Sequence, residues 1–498
     1  MTAPRRPGAF LLVVVLVTAT IAAGTAGAQT ERVEQTTTVS LDDGDVVATV
    51  AYRLPDRVRG LTVRLPGLAN GATLVDSRGF RRVDETEFEW TDRSRPSLTV
   101  RVPSDARRVI AGDGWAVAVR PSVRVSYSFR GGDPGFRSTY DVAGDGYAAD
   151  PLAFLGPHRA SAVAPGGERT TFVVAEAAGD VRLGPARRFL RVAPGRFDLG
   201  VRRDRTTAFV LPERTSESQR RLAGATARTS FWVGPGAARM SRTDTAFTHE
   251  YVHTRLGVVG EGSAAWLTEG SAEYFGHVFA LNAGAGDYEE FRSGVTAEGF
   301  APDERAVTLA DRATWRGTLA NYEKGAHVLA ALDGEIRART DSEHTLADVF
   351  AARAGEPFES HDDFARTVRE VTGANLDRWL DRYVRGEDLP PAPEAPSAFV
   401  YGADLDPDAD GASSAAERDA GTNPFVADGA TVTATATPTV TASPTPTPTT
   451  TAARTPTAAP TTATGSDGPP TVGLSPGFGP AVAGAALASF ALLARRRN

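Results

Sequence analysis

The stretch Thr248-His249-Glu250-Tyr251-Val252-His253-Thr254 places two histidines four residues apart, with a glutamate directly after the first. On a helix, positions i and i+4 lie on one face, so both imidazole rings can reach a single metal ion. Glu250 would then lie close enough to contact a water molecule bound to that ion. This H-E-x-x-H pattern is typical of zinc hydrolases. Because the 498-residue chain contains only seven histidines, a chance match is improbable.

A catalytic zinc site needs three protein ligands and one open position, so a third ligand should follow the two histidines. The next helix-like segment, Trp266-Leu267-Thr268-Glu269-Gly270-Ser271-Ala272-Glu273, offers Glu269. Glu273 lies one helical turn later, where its carboxylate can accept the second N–H of a ligand histidine. The sequence therefore predicts a Zn²⁺ site formed by His249, His253 and Glu269, with Glu273 supporting one of the histidines.

Two further motifs follow along the chain, Tyr322-Glu323-Lys324-Gly325-Ala326 and Leu332-Asp333-Gly334-Glu335. Together with the segments around the two histidines and Glu269, they resemble the glycyl aminopeptidase family of gluzincins, which are relatives of aminopeptidase N. The similarity covers residues 240–390. It implies a multidomain α+β protein, in which an all-β domain precedes a mostly α-helical, thermolysin-like catalytic domain. The PDZ module that typically follows in this family is absent from this chain.

The resemblance also implies roles for two residues beyond the metal ligands. Glu250 would be the general base, and Tyr322 would hydrogen-bond the oxyanion. The chemistry of peptide hydrolysis agrees with both roles. Zinc lowers the pKa of its water to about 7, a glutamate can carry the proton to the leaving amine, and a phenol O–H can stabilise the developing oxyanion. The expected substrate is therefore a peptide or protein.

The chain departs from those relatives in two ways. The gap between His253 and Glu269 is shorter, so the connecting loop must be tight, which its three glycines permit. The relatives also carry a Gly-x-Met-Glu motif whose glutamate holds the free α-ammonium group of the substrate. This chain has no glutamate between Glu217 and Glu250, and Asp244 is the only acid there. An aminopeptidase-like activity is predicted, with an endopeptidase and a non-catalytic surface binding protein with a silent zinc site as alternatives.

Residues 1–28 have the pattern of a signal peptide. Arg5 and Arg6 precede an apolar run at residues 10–17, and Ala26-Gly27-Ala28 offers a small-residue cleavage site. The run is too short to span a membrane. We therefore expect this segment to direct export and to be removed. The composition excludes a disulfide framework, because the chain has no cysteine. A formal net charge of −7 argues against a nucleic-acid partner, and the acidic surface with a single lysine suits a haloarchaeal, salt-rich setting.

Residues 29–214 read as an all-β domain, because short alternating or apolar segments are separated by turn residues. We predict a sandwich or a saddle-like sheet. The clearest predicted strands are Val46–Tyr52, Leu61–Leu65, Ser97–Val102, Trp115–Val119, Val123–Phe129 and Thr170–Val174.

From residue 215 to residue 390 the apolar residues repeat with helical spacing, which predicts a mostly α-helical catalytic domain. The predicted helices are Glu217–Ala227, Thr245–Thr254, Ser263–Leu281, Tyr322–Thr340, Thr345–Ala354, Asp362–Val371 and Leu376–Tyr383. His277 and His327 fall inside this domain. Each could line a substrate pocket or pack within a helix.

Residues 391–428 form an acidic segment. Asp406, Asp408, Asp410 and Glu417 occupy positions 1, 3, 5 and 12 of a pattern with glycine at position 6, which matches a Ca²⁺ loop. A plain acidic spacer is the alternative.

Residues 429–470 are rich in threonine and proline and read as a disordered, extended stalk. In residues 471–498, Pro476-Gly477-Phe478 precedes an apolar run and an arginine cluster, which resembles the C-terminal sorting signal of archaeal surface proteins. The resemblance implies that an archaeosortase removes the tail and attaches a lipid. An ordinary C-terminal membrane anchor is the alternative. Both predict an extracellular, membrane-anchored protein at the cell surface.

Overall fold

The computed structural model describes residues 32–91, 95–106, 109–212, 224–296, 300, 302–428 and the short strand Val472–Leu474. The predicted signal peptide, the predicted stalk and, apart from that strand, the predicted sorting segment lie outside the described residues. Within the described part of the chain, no helix is long and apolar enough to cross a bilayer.

The N-terminal part is an all-β domain, as predicted. Its strands form three sheets with the orders β11-β1-β2-β7-β4, β10-β3-β6-β5 and β12-β13-β9-β8, and Val472–Leu474 pairs with the free side of β10. The strands are β1 (Val33–Asp42), β2 (Asp45–Arg53), β3 (Val58–Arg64), β4 (Thr73–Asp76), β5 (Phe80–Arg82), β6 (Glu87–Trp90), β7 (Ser97–Val102), β8 (Val109–Gly112), β9 (Trp115–Val119), β10 (Arg124–Phe129), β11 (Phe136–Val142), β12 (Gly146–Ala149) and β13 (Leu152–Leu155).

Alternating apolar residues explain how these sheets share a core. In β2, residues Val46, Ala48, Val50 and Tyr52 are buried, and the residues between them are half-buried. Successive strand residues point to opposite faces, so one face of β2 packs inward. The six strands predicted from the sequence are all present, within three residues of the expected bounds.

A fourth sheet connects the β domain with the helices. It comprises β14 (His158–Val163), β15 (Arg169–Ala175), β16 (Arg205–Val210), β17 (Gly224–Ala227) and β18 (Ser230–Val233). Its order is β14-β15-β16-β18-β17, with β15, β16 and β18 parallel and both edges antiparallel. The predicted domain boundary between residues 214 and 215 falls inside this sheet.

Strand β17 corrects one prediction. A helix was expected over Glu217–Ala227. Residues 217–223 lie outside the described residues, and residues 224–227 form an edge strand that pairs with β18 through a two-residue turn. β18 is buried along its whole length, so pairing with it outweighs the helical spacing of the local sequence.

The helices pack on this fourth sheet in one continuous core. Phe247 lies 5.9 Å from Phe172 on β15 and 5.4 Å from Phe231 on β18, measured between ring centroids. The helices are α1 (Gly184–Arg196), α2 (Pro235–Ala238), α3 (Ala246–Leu256), α4 (Leu267–Asn282), α5 (Tyr288–Val295), α6 (Pro302–Arg305), α7 (Glu323–Arg339), α8 (Leu346–Arg353), α9 (His361–Thr372), α10 (Asp377–Leu380), a π-helical turn (Asp381–Arg385) and α11 (Ser414–Ala420). Apart from the one over residues 217–227, the predicted helices are confirmed.

The acidic segment packs back on the helices. Asn282 at the end of α4 donates to the Phe399 carbonyl and accepts from the Tyr401 backbone N–H, both at 2.8 Å. The Tyr401 hydroxyl donates to buried Asp333 on α7 at 2.8 Å, and Phe425 stacks on Tyr288. Residues 396–428 therefore pack against the helical domain, and Phe399, Val400, Tyr401 and Phe425 belong to its core.

Candidate metal centre

The two histidines of the H-E-x-x-H stretch lie on one face of α3 and meet Glu269 on α4. His249 Nε2 lies 3.1 Å from His253 Nε2, and Glu269 Oε2 lies 3.4 Å and 3.3 Å from these two nitrogens. All three side chains are buried. The structure thus brings together the three predicted metal ligands, although Glu269 is 16 residues beyond the second histidine.

The spacing of these three atoms fits a tetrahedral metal ion. Ligands held about 2.0–2.2 Å from one ion are separated by about 3.3–3.6 Å, close to the observed distances. Two imidazole nitrogens that face each other and a carboxylate oxygen are the donor types that Zn²⁺ prefers. Moreover, Glu269 Oε2 is buried without a well-aligned hydrogen-bond donor, which is costly unless a cation compensates.

Glycines allow the two helices to approach this closely. A Cβ atom on Gly276 of α4 would lie 3.1 Å from the His249 backbone nitrogen. In the short connecting loop, a Cβ atom on Gly260 would lie 2.0 Å from the Ala264 carbonyl oxygen, so no other residue fits there. The tight loop expected from the sequence therefore depends on glycine at this position.

Glu273 orients the first histidine, as predicted. Its Oε2 accepts the Nδ1–H of His249 at 2.9 Å, and its Oε1 lies 3.2 Å from His277 Nε2. An Nδ1–H donor leaves Nε2 of His249 as a lone pair directed at Glu269. Burial alone would lower the pKa of His249, but the carboxylates of Glu269 and Glu273 outweigh it and raise that pKa to about 10. The site therefore favours positive charge, which a proton or a metal ion can supply.

Glu250 points from the same helix into the interior, where it is 2% exposed. Its Oε2 accepts a hydrogen bond of 2.6 Å from the Thr226 hydroxyl on β17. Burial raises the pKa of Glu250, while the two neighbouring histidines and Thr226 oppose that shift. Sequence reasoning missed Thr226, because it placed residue 226 on a helix and a lone threonine carries no signal of its own.

Tyr322 lies directly before α7 and is fully buried beside the ligand histidines. Its ring stacks on that of His249, with centroids 5.8 Å apart and planes 16° from parallel. The structure thus places Tyr322 within the predicted site, 53 residues beyond Glu269.

The two histidines that could have lined a pocket, His277 and His327, and the single lysine of this domain have structural contacts. His277 contacts Glu273 and the Thr243 hydroxyl. His327 lies 3.0 Å from the Val295 carbonyl and 2.8 Å from the Pro390 carbonyl. Lys324 donates to three backbone carbonyls, those of residues 305, 307 and 387. His277 and His327 therefore pack within the helices, which was one of the two roles expected for them.

The acidic residues predicted to bind Ca²⁺ lie apart from this site, after residue 405. Asp406, Asp408 and Asp410 have carboxylate oxygens within 4.8 Å of one another, and Asp410, Glu417 and Asp428 form a second such group. The structure brings together the four predicted residues and adds Asp428, which lies outside the 12-residue pattern.

Comparison with known proteins gives a match in structure only. No family model and no curated protein matches the sequence. Among solved structures, an aminopeptidase N family protein from Idiomarina loihiensis aligns with a TM-score of 0.52 at 10% identity, over 72% of this chain and 76% of that one. An M1 zinc metallopeptidase from Deinococcus radiodurans aligns with a TM-score of 0.47 at 16% identity, over 74% and 95% of the two chains. The first comparison supports the predicted arrangement of a β domain followed by a helical domain.

Proposed function

We propose that this protein is a zinc-dependent peptidase. The observation that carries the proposal is the convergence of His249 Nε2, His253 Nε2 and Glu269 Oε2 within 3.1–3.4 Å of one another. Glu250 and Tyr322 lie beside this group. Nucleophile activation, proton transfer and oxyanion stabilisation are the three tasks of peptide hydrolysis by a zinc site, and this group of residues can supply all three.

Each residue has a role that follows from its surroundings. His249, His253 and Glu269 would hold Zn²⁺, which when bound would supply a Lewis acid and make water nucleophilic near neutral pH. Glu250 accepts a proton from the attacking water and returns it to the leaving amine; burial raises its pKa and so makes it a stronger base. The Tyr322 hydroxyl donates a hydrogen bond to the carbonyl oxygen as that oxygen gains charge.

The edge strand β17 supports an extended peptide as the substrate. It borders the sheet on one side, and Thr226 on it contacts Glu250. A peptide can add to such an edge by backbone hydrogen bonds. β17 reads Gly-Ala-Thr-Ala and carries no acid. This favours the endopeptidase alternative over strict aminopeptidase specificity, because no carboxylate on the strand can hold a free α-ammonium group.

The location of the enzyme rests on the sequence alone. An N-terminal signal peptide and the C-terminal Pro-Gly-Phe, apolar run and arginine cluster support export and attachment to the cell surface. Cleavage of the tail by an archaeosortase accounts for the Pro-Gly-Phe motif, and a plain membrane anchor accounts for the apolar run alone. The mass of the mature protein distinguishes the two, because only processing removes Arg495–Arg497.

The decisive test is Glu250→Gln, which preserves shape and removes the charge that accepts the proton. Bound zinc should stay at one equivalent, while peptide hydrolysis should fall by roughly 10²–10⁴. Tyr322→Phe should lower turnover by roughly 10²–10³ with zinc retained. Tyr140→Phe in β11 removes a hydroxyl far from the site and should change nothing. A Glu250→Gln protein with wild-type rates would refute the mechanism. A zinc-loaded wild type that cuts no member of a diverse peptide library would favour the silent binding protein.

A further inference from the structure

A second group of carboxylates lies at the end of the helical domain, in residues 406–428. Asp406, Asp408 and Asp410 lie on one loop, Glu417 is in α11, and Asp428 follows it. Within each of two groups, Asp406–Asp408–Asp410 and Asp410–Glu417–Asp428, the carboxylate oxygens lie within 4.8 Å of one another, so Asp410 belongs to both groups. Because the two groups share Asp410, an ion beside it would lie next to carboxylates of both groups.

Glu417 points to a cation at this group. It is 2% exposed, and both of its carboxylate oxygens are buried without a hydrogen-bond donor. Asp408 Oδ2 is buried in the same condition. Among the residues that the structure describes, no arginine or lysine forms an ion pair with any of the five carboxylates. A buried, unpaired carboxylate costs several kcal/mol, so the protein would not keep Glu417 ionised there without a compensating positive charge.

The remaining contacts of the loop hold its carboxylates in place. Asp406 Oδ2 accepts the Gly411 N–H at 3.0 Å, Asp410 Oδ1 accepts the Ala412 N–H at 2.8 Å, and Asp410 Oδ2 accepts the Asp428 N–H at 3.3 Å. Burial and the four neighbouring aspartates raise the pKa of Glu417 to about 7. The backbone thus positions several like charges around one point, and a bound cation would relieve their repulsion.

We propose that Asp406, Asp408, Asp410, Glu417 and Asp428 bind one Ca²⁺ ion, which holds the C-terminal segment against the catalytic helices. All five ligands are carboxylates, which suits a hard cation with six to eight oxygen ligands in flexible geometry. Zn²⁺ prefers nitrogen and sulfur donors, and Mg²⁺ needs a near-octahedral shell with several waters.

The segment that the ion would hold is in contact with α4, the helix that carries Glu269 and Glu273. Pro407 within the loop lies against Gly284, just beyond the end of α4, where a Cβ atom would lie 2.7 Å from the Pro407 oxygen. Tyr401 hydrogen-bonds Asn282 and Asp333. Ca²⁺ should therefore stabilise the whole helical domain and not merely its own loop. This inference does not depend on the proposed peptidase activity.

The test is thermal unfolding of the full-length chain with one equivalent of zinc throughout, in Ca²⁺, in Mg²⁺ or in calcium-depleted buffer without chelator, at constant ionic strength. In wild type, Ca²⁺ at about 100 times its Kd should raise the melting temperature by roughly 5–10 °C, and Mg²⁺ should raise it less. Calorimetric titration with Ca²⁺ should give one site.

Two variants separate an ion site from an acidic surface. Glu417→Gln should abolish the Ca²⁺ response and, in calcium-depleted buffer, should melt at or above the wild-type temperature because it relieves repulsion. Asp410→Asn should also lose the response. Asp419→Asn changes an exposed neighbour on α11 and should keep it. Absence of a Ca²⁺ response in wild type, or an unchanged response in Glu417→Gln, would overturn the proposal.

Discussion

Glu273 gives a quantitative test of how the metal centre is held. Its carboxylate accepts the Nδ1–H of His249 at 2.9 Å and contacts His277 at 3.2 Å, but it is not itself one of the three converging ligands. Its pKa is held low: burial would raise it, but the hydrogen bonds from the two histidines outweigh burial. Glu273 is therefore a carboxylate at neutral pH and increases the electron density of the His249 ring.

Glu273→Gln keeps an oxygen that can accept the His249 N–H but removes the charge. Loss of such a partner typically lowers metal affinity about 10- to 100-fold, which corresponds to about 1.4–2.7 kcal/mol. Turnover at saturating zinc should change much less, because Glu250 and Tyr322 are untouched. Glu273→Ala should lower zinc affinity further, because the ring then loses its acceptor altogether and is free to rotate.

The measurement is competition for zinc between the protein and a chelator of known affinity, followed by hydrolysis at saturating zinc. Glu289→Gln is the matched control, because Glu289 is an exposed glutamate on α5. A Glu273→Gln protein whose zinc affinity lies within twofold of wild type would show that the carboxylate does not support the ligand. Equal losses of affinity in Glu289→Gln would show a general effect of net charge.

Two further predictions concern β17 and the substrate. Thr226→Val removes the hydroxyl that donates to Glu250. Since that bond lowers the pKa of Glu250, the acidic limb of the kcat/KM profile should move to higher pH in the variant, and an unmoved limb would exclude the contact from the mechanism. N-acetylated peptides should be cut at rates within about tenfold of those for peptides with a free N-terminus, because this chain has no glutamate between Glu217 and Glu250 to hold an α-ammonium group. A strict requirement for a free N-terminus would show that another acid, such as Asp244 or Glu273, holds the ammonium group.

The metal ligands are predictable from sequence because their geometry is mostly local. Positions i and i+4 share a face of α3 whatever the rest of the fold does. Glu269 follows from the need for a third ligand and from its place one turn before Glu273 on the next helix. The strands are predictable for a similar reason, since their alternating burial is set by two-residue periodicity within each strand.

The parts that sequence reasoning missed depend on contacts between distant residues. β17 is a strand because β18 offers it a partner, and neither its composition nor its spacing indicates this. Thr226 contacts Glu250 across 24 residues, and Asp428 joins Asp410 across 18. The fourth sheet shares its core with the helices through Phe172 and Phe231, although both lie among strands in sequence.

Helix α4 connects the two proposed ion sites. Glu269 near its start contributes to the zinc ligands, and Asn282 at its end is hydrogen-bonded to the segment that precedes the acidic loop. The two residues are 13 positions apart, or about 20 Å along a helix. In each proposed site, buried carboxylate oxygens lack well-aligned donors: one on Glu269, two on Glu417. Burial of such groups opposes folding unless cations bind them. The packing of α4 between α3 and α7 should therefore depend on both ions, and the helical domain should reach its highest stability when Zn²⁺ and Ca²⁺ are both bound.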